Sequence, residues 1–227
     1  YFLKEQWAGF GGPWSPSGAW GENYKCFFSY PFVQILFPQF RVQTSSSVVS
    51  HIPTANVVYV KQHILNVGQF SPQMAYVGED LDLNLRLSRA GYKFVLDGGA
   101  SIQHYLPEEM KSWCKKIFYY GCGRVSVACK NKQKWNFILV APLLFLFIFM
   151  GLTLWTRGYF LISYALILGL VALWPSPHNR SLPVVWGLLF WTPLMYSFGM
   201  AFQWLKTAGL LIPKLKTLFR QIGTAVK

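Results

Sequence analysis

From Met110 to Lys227 the chain carries fourteen Lys and Arg residues and no Asp or Glu, and three apolar stretches lie inside that half. Asn136 to Trp155 is an uncharged run of twenty residues, the length a helix needs to cross a hydrocarbon core of roughly 30 Å. Tyr159 to Trp174, joined to it by Thr156-Arg157-Gly158, is short for a crossing but rich in Leu, Ile and aromatics. Val184 to Leu205 is long enough and carries Trp and Tyr at several depths. Residues 136–205 therefore read as an all-α membrane region of two to three transmembrane helices. Residues 206–227 mix Lys206, Lys214, Lys216, Arg220 and Lys227 with Leu, Ile and Phe, which suits a basic amphipathic interfacial helix interrupted at Pro213. Lys130, Lys132 and Lys134 before the first stretch put that end on the cytoplasmic face. Three full crossings would carry the basic tail outside. Either one stretch is re-entrant or interfacial, or the tail breaks the positive-inside tendency; a cytoplasmic tail is the arrangement we favour.

All eight acids lie at or before Glu109, and the net charge is +13. A charge of that size also suits nucleic acid, but no basic module with an aromatic face is visible, and no nucleic-acid partner is expected. The basic, acid-free half points to anionic lipid instead. Cys26, Cys114, Cys122 and Cys129 form no C-x-x-C pair and read as free thiols rather than zinc ligands.

The chemistry is concentrated between Tyr76 and Arg124. Glu79, Asp80 and Asp82 crowd the first turn of a short helix, where the positive end of the helix dipole favours anions. Leu83, Leu87 and Ala90 recur at helical spacing, and Gly91 is the expected C′ stop. Asp82 and Arg86 are placed for an i, i+4 surface ion pair. Extended segments follow at Tyr92–Leu96 and Ala100–His104. Pro107, with Glu108 and Glu109, opens another helix that runs through Trp113 and Ile117 to end in Tyr120-Gly121-Cys122-Gly123-Arg124. Ahead of all this, Ile52 to Val60 reads as a strand and Lys61 to Val67 as a short helix closed by Gly68.

This arrangement resembles the acceptor-side half of membrane-bound family-2 glycosyltransferases, which have a GT-A fold. The acidic pair Glu79-Asp80 ahead of Leu85-Arg86-Leu87 and Gly91-Tyr92 carries the resemblance, which runs from about Pro53 to Arg124. Asn56, Lys61, Gly68 and Phe70 fit the family's preceding segment, whereas Thr54 and Gln62 depart from it. The resemblance implies that Asp80 is the general base that deprotonates an acceptor hydroxyl, with Glu79 supporting it and Asn56, Lys61 and Arg124 touching substrate. It implies a divalent metal, Mg or Mn, with His104 near it. It also implies an inverting transfer from a nucleotide-sugar donor to a lipid-linked or polysaccharide acceptor. Asp80-Leu81-Asp82 spells the D-x-D of metal–diphosphate sites, but it opens a helix rather than closing a strand, and we do not read it that way.

The expected fold class is α/β, a partial GT-A-like domain at residues 53–130, followed by the membrane helices. Residues 1–52 read as a loop-rich aromatic segment: Gly9 to Gly21 has turn chemistry throughout. Tyr30 to Val42 could line an acceptor groove, lie on the membrane or pack in the core. No alternating strand–helix pattern with an acid at a strand end precedes Pro53. The nucleotide-binding half is thus expected outside these residues, before Tyr1 or on another chain, or is expected to have been lost. A non-catalytic membrane subunit that keeps a partial fold as a scaffold is the alternative reading.

Overall fold

The computed structural model describes residues 6–36, 46–74, 77–134 and 137–209. Tyr76, the second half of the 30–42 segment and most of the 206–227 tail lie outside them.

Two strands, β1 (Trp7–Gly11) and β2 (Trp14–Ser17), and two helices, α1 (Gly21–Ser29) and α2 (Pro31–Leu36), open the fold. β3 (Ser47–Val49), a 3-10 turn at Thr54–Asn56, β4 (Val57–Tyr59) and α3 (Lys61–Asn66) follow. Then come α4 (Glu79–Arg89), β5 (Lys93–Leu96) and β6 (Ile102–Tyr105). A four-stranded sheet has the order β3-β5-β1-β4, with β1 parallel to β5 and antiparallel to β4; β2 pairs with β6 in a separate parallel ribbon.

β1 is therefore a central strand, and the loop expected over Gly9–Gly21 is corrected. Gly9 and Gly11 serve close approach rather than turning, while Gly18, at φ 94°, does turn the chain between β2 and α1. A Cβ on Gly9 would meet the Phe94 ring at 3.0 Å, and one on Gly11 would collide with the Asn56 carbonyl. A break between residues 52 and 53 is likewise not seen, because β1 pairs with strands on the far side of it. One face of the sheet is covered by α4: Leu83 and Leu87 pack with Ala8, Ile52 and Phe94 in one buried cluster. Ala90 ends α4, and Gly91 follows in the left-handed region at φ 88°, the stop anticipated from the sequence.

The long helices form the second half. α5 (Met110–Lys130) starts three residues after Pro107 and does not end at Tyr120; it continues through Gly121 and Gly123. A Gly-x-Gly normally marks a helix end, since each mid-helix Gly costs about 1 kcal/mol relative to Ala. Here each glycine admits a neighbouring backbone. Gly121 faces Tyr196, and Gly123 faces Val77, whose carbonyl would lie 2.9 Å from an added Cβ.

Helices α6 (Phe137–Trp155), α7 (Tyr159–Ala172) and α8 (Leu182–Thr207) complete the described residues. α8 lies alongside α5 in the same direction. Gly187 is set against Met110, the Trp113 indole donates to the Thr192 hydroxyl at 2.9 Å, and Gly199 is set against the Phe118 carbonyl. α1 closes the near end through Tyr24, Phe27 and Phe28, which share a core with Trp113, Ile117 and Leu188. Tyr30 and Val33 are buried there too, so this part of the 30–42 segment packs inside. Among the described residues α8 is the one helix long and apolar enough to cross a bilayer, whereas two to three were expected; α6 and α7 are apolar but shorter.

The α5–α8 contact gives a first prediction. Gly199→Ala places a methyl against the Phe118 carbonyl with no flexible side chain to yield. It should destabilise the protein by about 1–3 kcal/mol, read as a lower unfolding midpoint in detergent. An unchanged midpoint would mean that the helices do not meet at these glycines.

Candidate functional site

The N-terminus of α4 is held against α5. Gly78, at φ 92°, caps the helix, and a Cβ there would meet Val127 at 3.0 Å. Val77 and Gly78 rest on Gly123, so the glycine inside α5 lets the acidic turn sit close to that helix.

The three acids of this turn are in different states. Asp82 has no exposed surface. Its Oδ2 accepts from Lys130 at 2.7 Å and from Arg86 at 2.9 Å, and its Oδ1 from Asn131 at 2.7 Å. Arg86 also donates to the Val67 and Gln69 carbonyls. Burial alone would raise the Asp82 carboxyl, but hydrogen bonds from Lys130, Asn131 and Arg86 outweigh it and hold it below its ordinary value. The expected surface pair with Arg86 is therefore part of a buried network that ties α4 to the ends of α3 and α5. A carboxylate so engaged, with two cations on one oxygen, is turned to the network rather than offered to a metal.

Asp80 is the contrast. It is half-buried, and no Lys or Arg forms an ion pair with it among the described residues. Among the described residues its oxygens accept only backbone N–H groups, from Leu81 at 2.6 Å and Thr54 at 3.4 Å. Glu79 beside it is raised above its ordinary value, by burial first and by the Asp80 charge in addition. A carboxylate at a helix N-terminus without a cationic partner is free to accept a proton from a ligand hydroxyl.

Further groups lie around this turn, and of them only Arg124 was expected to touch substrate. The Tyr59 hydroxyl donates to Asn84 Oδ1 at 2.8 Å, and the Asn84 amide meets His51 Nδ1 at 2.9 Å. On α5, Lys116, Tyr120 and Arg124 recur every fourth residue on one stripe. Lys116 lies 5.8 Å over the Tyr120 ring and within electrostatic reach of His104. Tyr120 is reached by the charges of Asp80 and Glu79, and Arg124 reaches His51. Burial raises the Tyr59 and Tyr120 hydroxyls well above the usual tyrosine range, so both are neutral donors near neutral pH. A pattern at i, i+4, i+8 was legible on α5, but only knowledge of which face meets α4 gives it meaning.

Of the other expected site residues, Asn56, Lys61 and His104 are not gathered at Asp80. Asn56 uses its amide to donate to the Ala100 and Pro13 carbonyls, at 2.6 and 3.3 Å, a tie between loops. Lys61 is exposed at the first position of α3. Arg124 is half-buried on the α5 stripe. His104 is on β6, edge-on to Trp14 at 5.1 Å; burial and nearby Lys116 both hold it below its ordinary value. No three His, Cys, Asp or Glu side chains converge among the described residues, and a lysine beside His104 opposes a cation. These residues do not fit a metal site.

Residues 12–205 match the model of the family described as glycosyl transferase family group 2. The match begins well before Pro53 and extends through α8, beyond the 53–124 span that the motifs suggested. Two curated relatives, each named pre-mycofactocin glycosyltransferase, come from Mycobacterium tuberculosis strains CDC 1551 / Oshkosh and ATCC 25618 / H37Rv. Each is 31% identical over 88 residues, 39% of this chain and 18% of the relative. The chain thus matches less than a fifth of the length of these relatives. No solved structure matches.

Proposed function

Because the chain belongs to glycosyl transferase family group 2, we propose that it serves transfer of a sugar from a nucleotide-sugar donor to an acceptor hydroxyl at a membrane surface, with Asp80 as general base. One observation carries this reading: of two neighbouring aspartates on one helix turn, Asp82 is bound by Lys130, Arg86 and Asn131, while among the described residues Asp80 has only backbone donors. In the step we infer, the acceptor O–H gives its proton to Asp80 as its oxygen bonds the anomeric carbon. The bond from that carbon to the diphosphate oxygen breaks, the nucleoside diphosphate leaves with the electron pair, and the configuration inverts. Tyr120 and Arg124, on the α5 stripe facing this turn, are the groups placed to meet the acceptor or the departing diphosphate.

The acceptor is lipid-linked or a polysaccharide held at the bilayer, in keeping with the basic, apolar second half. The test is transfer from tritiated UDP-glucose, UDP-galactose, UDP-N-acetylglucosamine and GDP-mannose in membranes containing the protein. Label entering lipid or polymer with the wild type, and lost with Asp80→Asn, supports the reading. Equal incorporation by both proteins removes Asp80 from it.

Membrane attachment yields a further prediction. Phe147, Ile148 and Leu154 on α6, and Leu166, Ile167 and Leu170 on α7, are all exposed. An apolar surface of that extent suits lipid contact, with Trp155, Arg157 and Tyr159 between the helices resembling an interfacial anchor. The protein should remain in the pellet after alkaline carbonate extraction. Release into the supernatant would mean that another protein surface covers these helices.

A further inference from the structure

We propose that His51 is a positioning residue for Asp80, locked by Asn84 as the neutral imidazole with its proton on Nε2; this rests on the reading of Asp80 as the base. The hydrogen-bond pattern determines the tautomer. Asn84 is fully buried on α4, one turn beyond Asp80. Its carboxamide oxygen can only accept, and it takes the Tyr59 O–H at 2.8 Å. Its nitrogen donates one hydrogen to the Ile52 carbonyl at 2.7 Å. The second hydrogen is directed at His51 Nδ1, 2.9 Å away. Nδ1 must therefore offer a lone pair, and the ring proton resides on Nε2.

Among the described residues this contact is one of three hydrogen bonds that fasten the segment from His51 to Thr54 onto the first turns of α4. The others are the Asn84 amide to the Ile52 carbonyl, at 2.7 Å, and the Thr54 N–H to Asp80 Oδ2, at 3.4 Å. Loss of the first leaves the segment tied to Asn84 through the Ile52 carbonyl alone, and loosens the Thr54 N–H that orients the outer oxygen of the base. Protonating His51 would place an N–H on Nδ1 opposite the Asn84 N–H, so the fastening opens when the ring becomes charged.

The charged groups that face His51 are Asp80 on α4, which favours the protonated ring, and Arg124 on α5, which disfavours it; burial disfavours it more strongly than either. The net effect is a neutral ring that persists to lower pH than an ordinary histidine. Sequence reading left His51 and Asn84 unassigned because they are 33 residues apart and neither lies in a motif.

The experiment uses the full chain in detergent micelles and, for activity, in membranes with the same four tritiated donors. Nitrogen NMR of histidine-labelled protein, assigned by comparison with His51→Ala, should show Nδ1 of His51 unprotonated and Nε2 protonated at neutral pH. An Nδ1–H signal would overturn the proposal even if every variant misfolded. His51→Ala should lower kcat about tenfold with donor KM unchanged, since orientation rather than binding is lost. His51→Asn sets a carboxamide oxygen near the Nδ1 position, where Asn84 can still donate to it. It should restore most of kcat and remove the fall in kcat at acid pH that is expected of the wild type as its His51 ring becomes charged. Full turnover by His51→Ala, beside an inactive Asp80→Asn, would overturn the positioning role and leave the base intact. Full turnover by both would instead defeat the reading of Asp80 on which the proposal rests.

Discussion

Asp80→Asn should leave the fold intact and lower sugar transfer at least ~100-fold. The substitution keeps shape, and the amide oxygen can still accept from the Leu81 N–H, the shorter of the two contacts at 2.6 Å, while the 3.4 Å contact from the Thr54 N–H to the other oxygen is given up. What it removes is proton affinity. A sugar hydroxyl is a weak nucleophile near neutral pH, and general-base assistance contributes about 10²–10⁴-fold. Because the interaction is made as the proton moves, kcat and kcat/KM should fall together, with donor KM nearly unchanged. The unfolding midpoint should match the wild type, since no ion pair is lost. Near-normal kcat in a folded Asn variant would show that Asp80 only decorates a helix N-terminus.

Asp80, Glu79 and the Leu periodicity of α4 were legible because helix starts and apolar stripes are local signals. So were β4, α3 and the stop at Gly91. What the sequence concealed depends on distant partners. Gly9 and Gly11 imitate a turn until β4 and β5 are known to lie beside them. Gly121 and Gly123 imitate a helix end until Tyr196 and Val77 supply the reason for them. The expected two to three crossings are not confirmed: among the described residues α8 alone has the length and apolarity, and hydrophobicity along the chain does not show how short the helix of α7 is.

Asp82 is the sharpest case, since a charged residue two positions from the base reads as surface, yet its side chain is wholly buried. Removing it should cost more stability than any other change considered above. Asp82→Ala leaves the Lys130 and Arg86 cations, and the Asn131 amide, facing a cavity. Breaking a buried pair by deleting one partner costs about 3–5 kcal/mol, because the remaining charge stays desolvated. For a chain of this size the unfolding midpoint should drop by roughly 10 °C.

The direction with pH follows from the state of the carboxyl. Its folded pKa lies below the unfolded value, near 4. The stabilisation is thus fully present above that unfolded value and is lost as pH falls through the folded one. Wild-type stability should therefore decline below about pH 4, and that part of the decline should be missing in Asp82→Asn. Substituting Asp82, Arg86 and Lys130 together by Leu, Met and Met should recover much of the loss, as apolar replacements of buried ion networks often do. A D-x-D metal role for Asp82 makes the opposite forecast: transfer abolished, with the unfolding midpoint and its acid profile unchanged. The buried network requires the midpoint to move whether or not transfer is measured, so a single melting series separates the two.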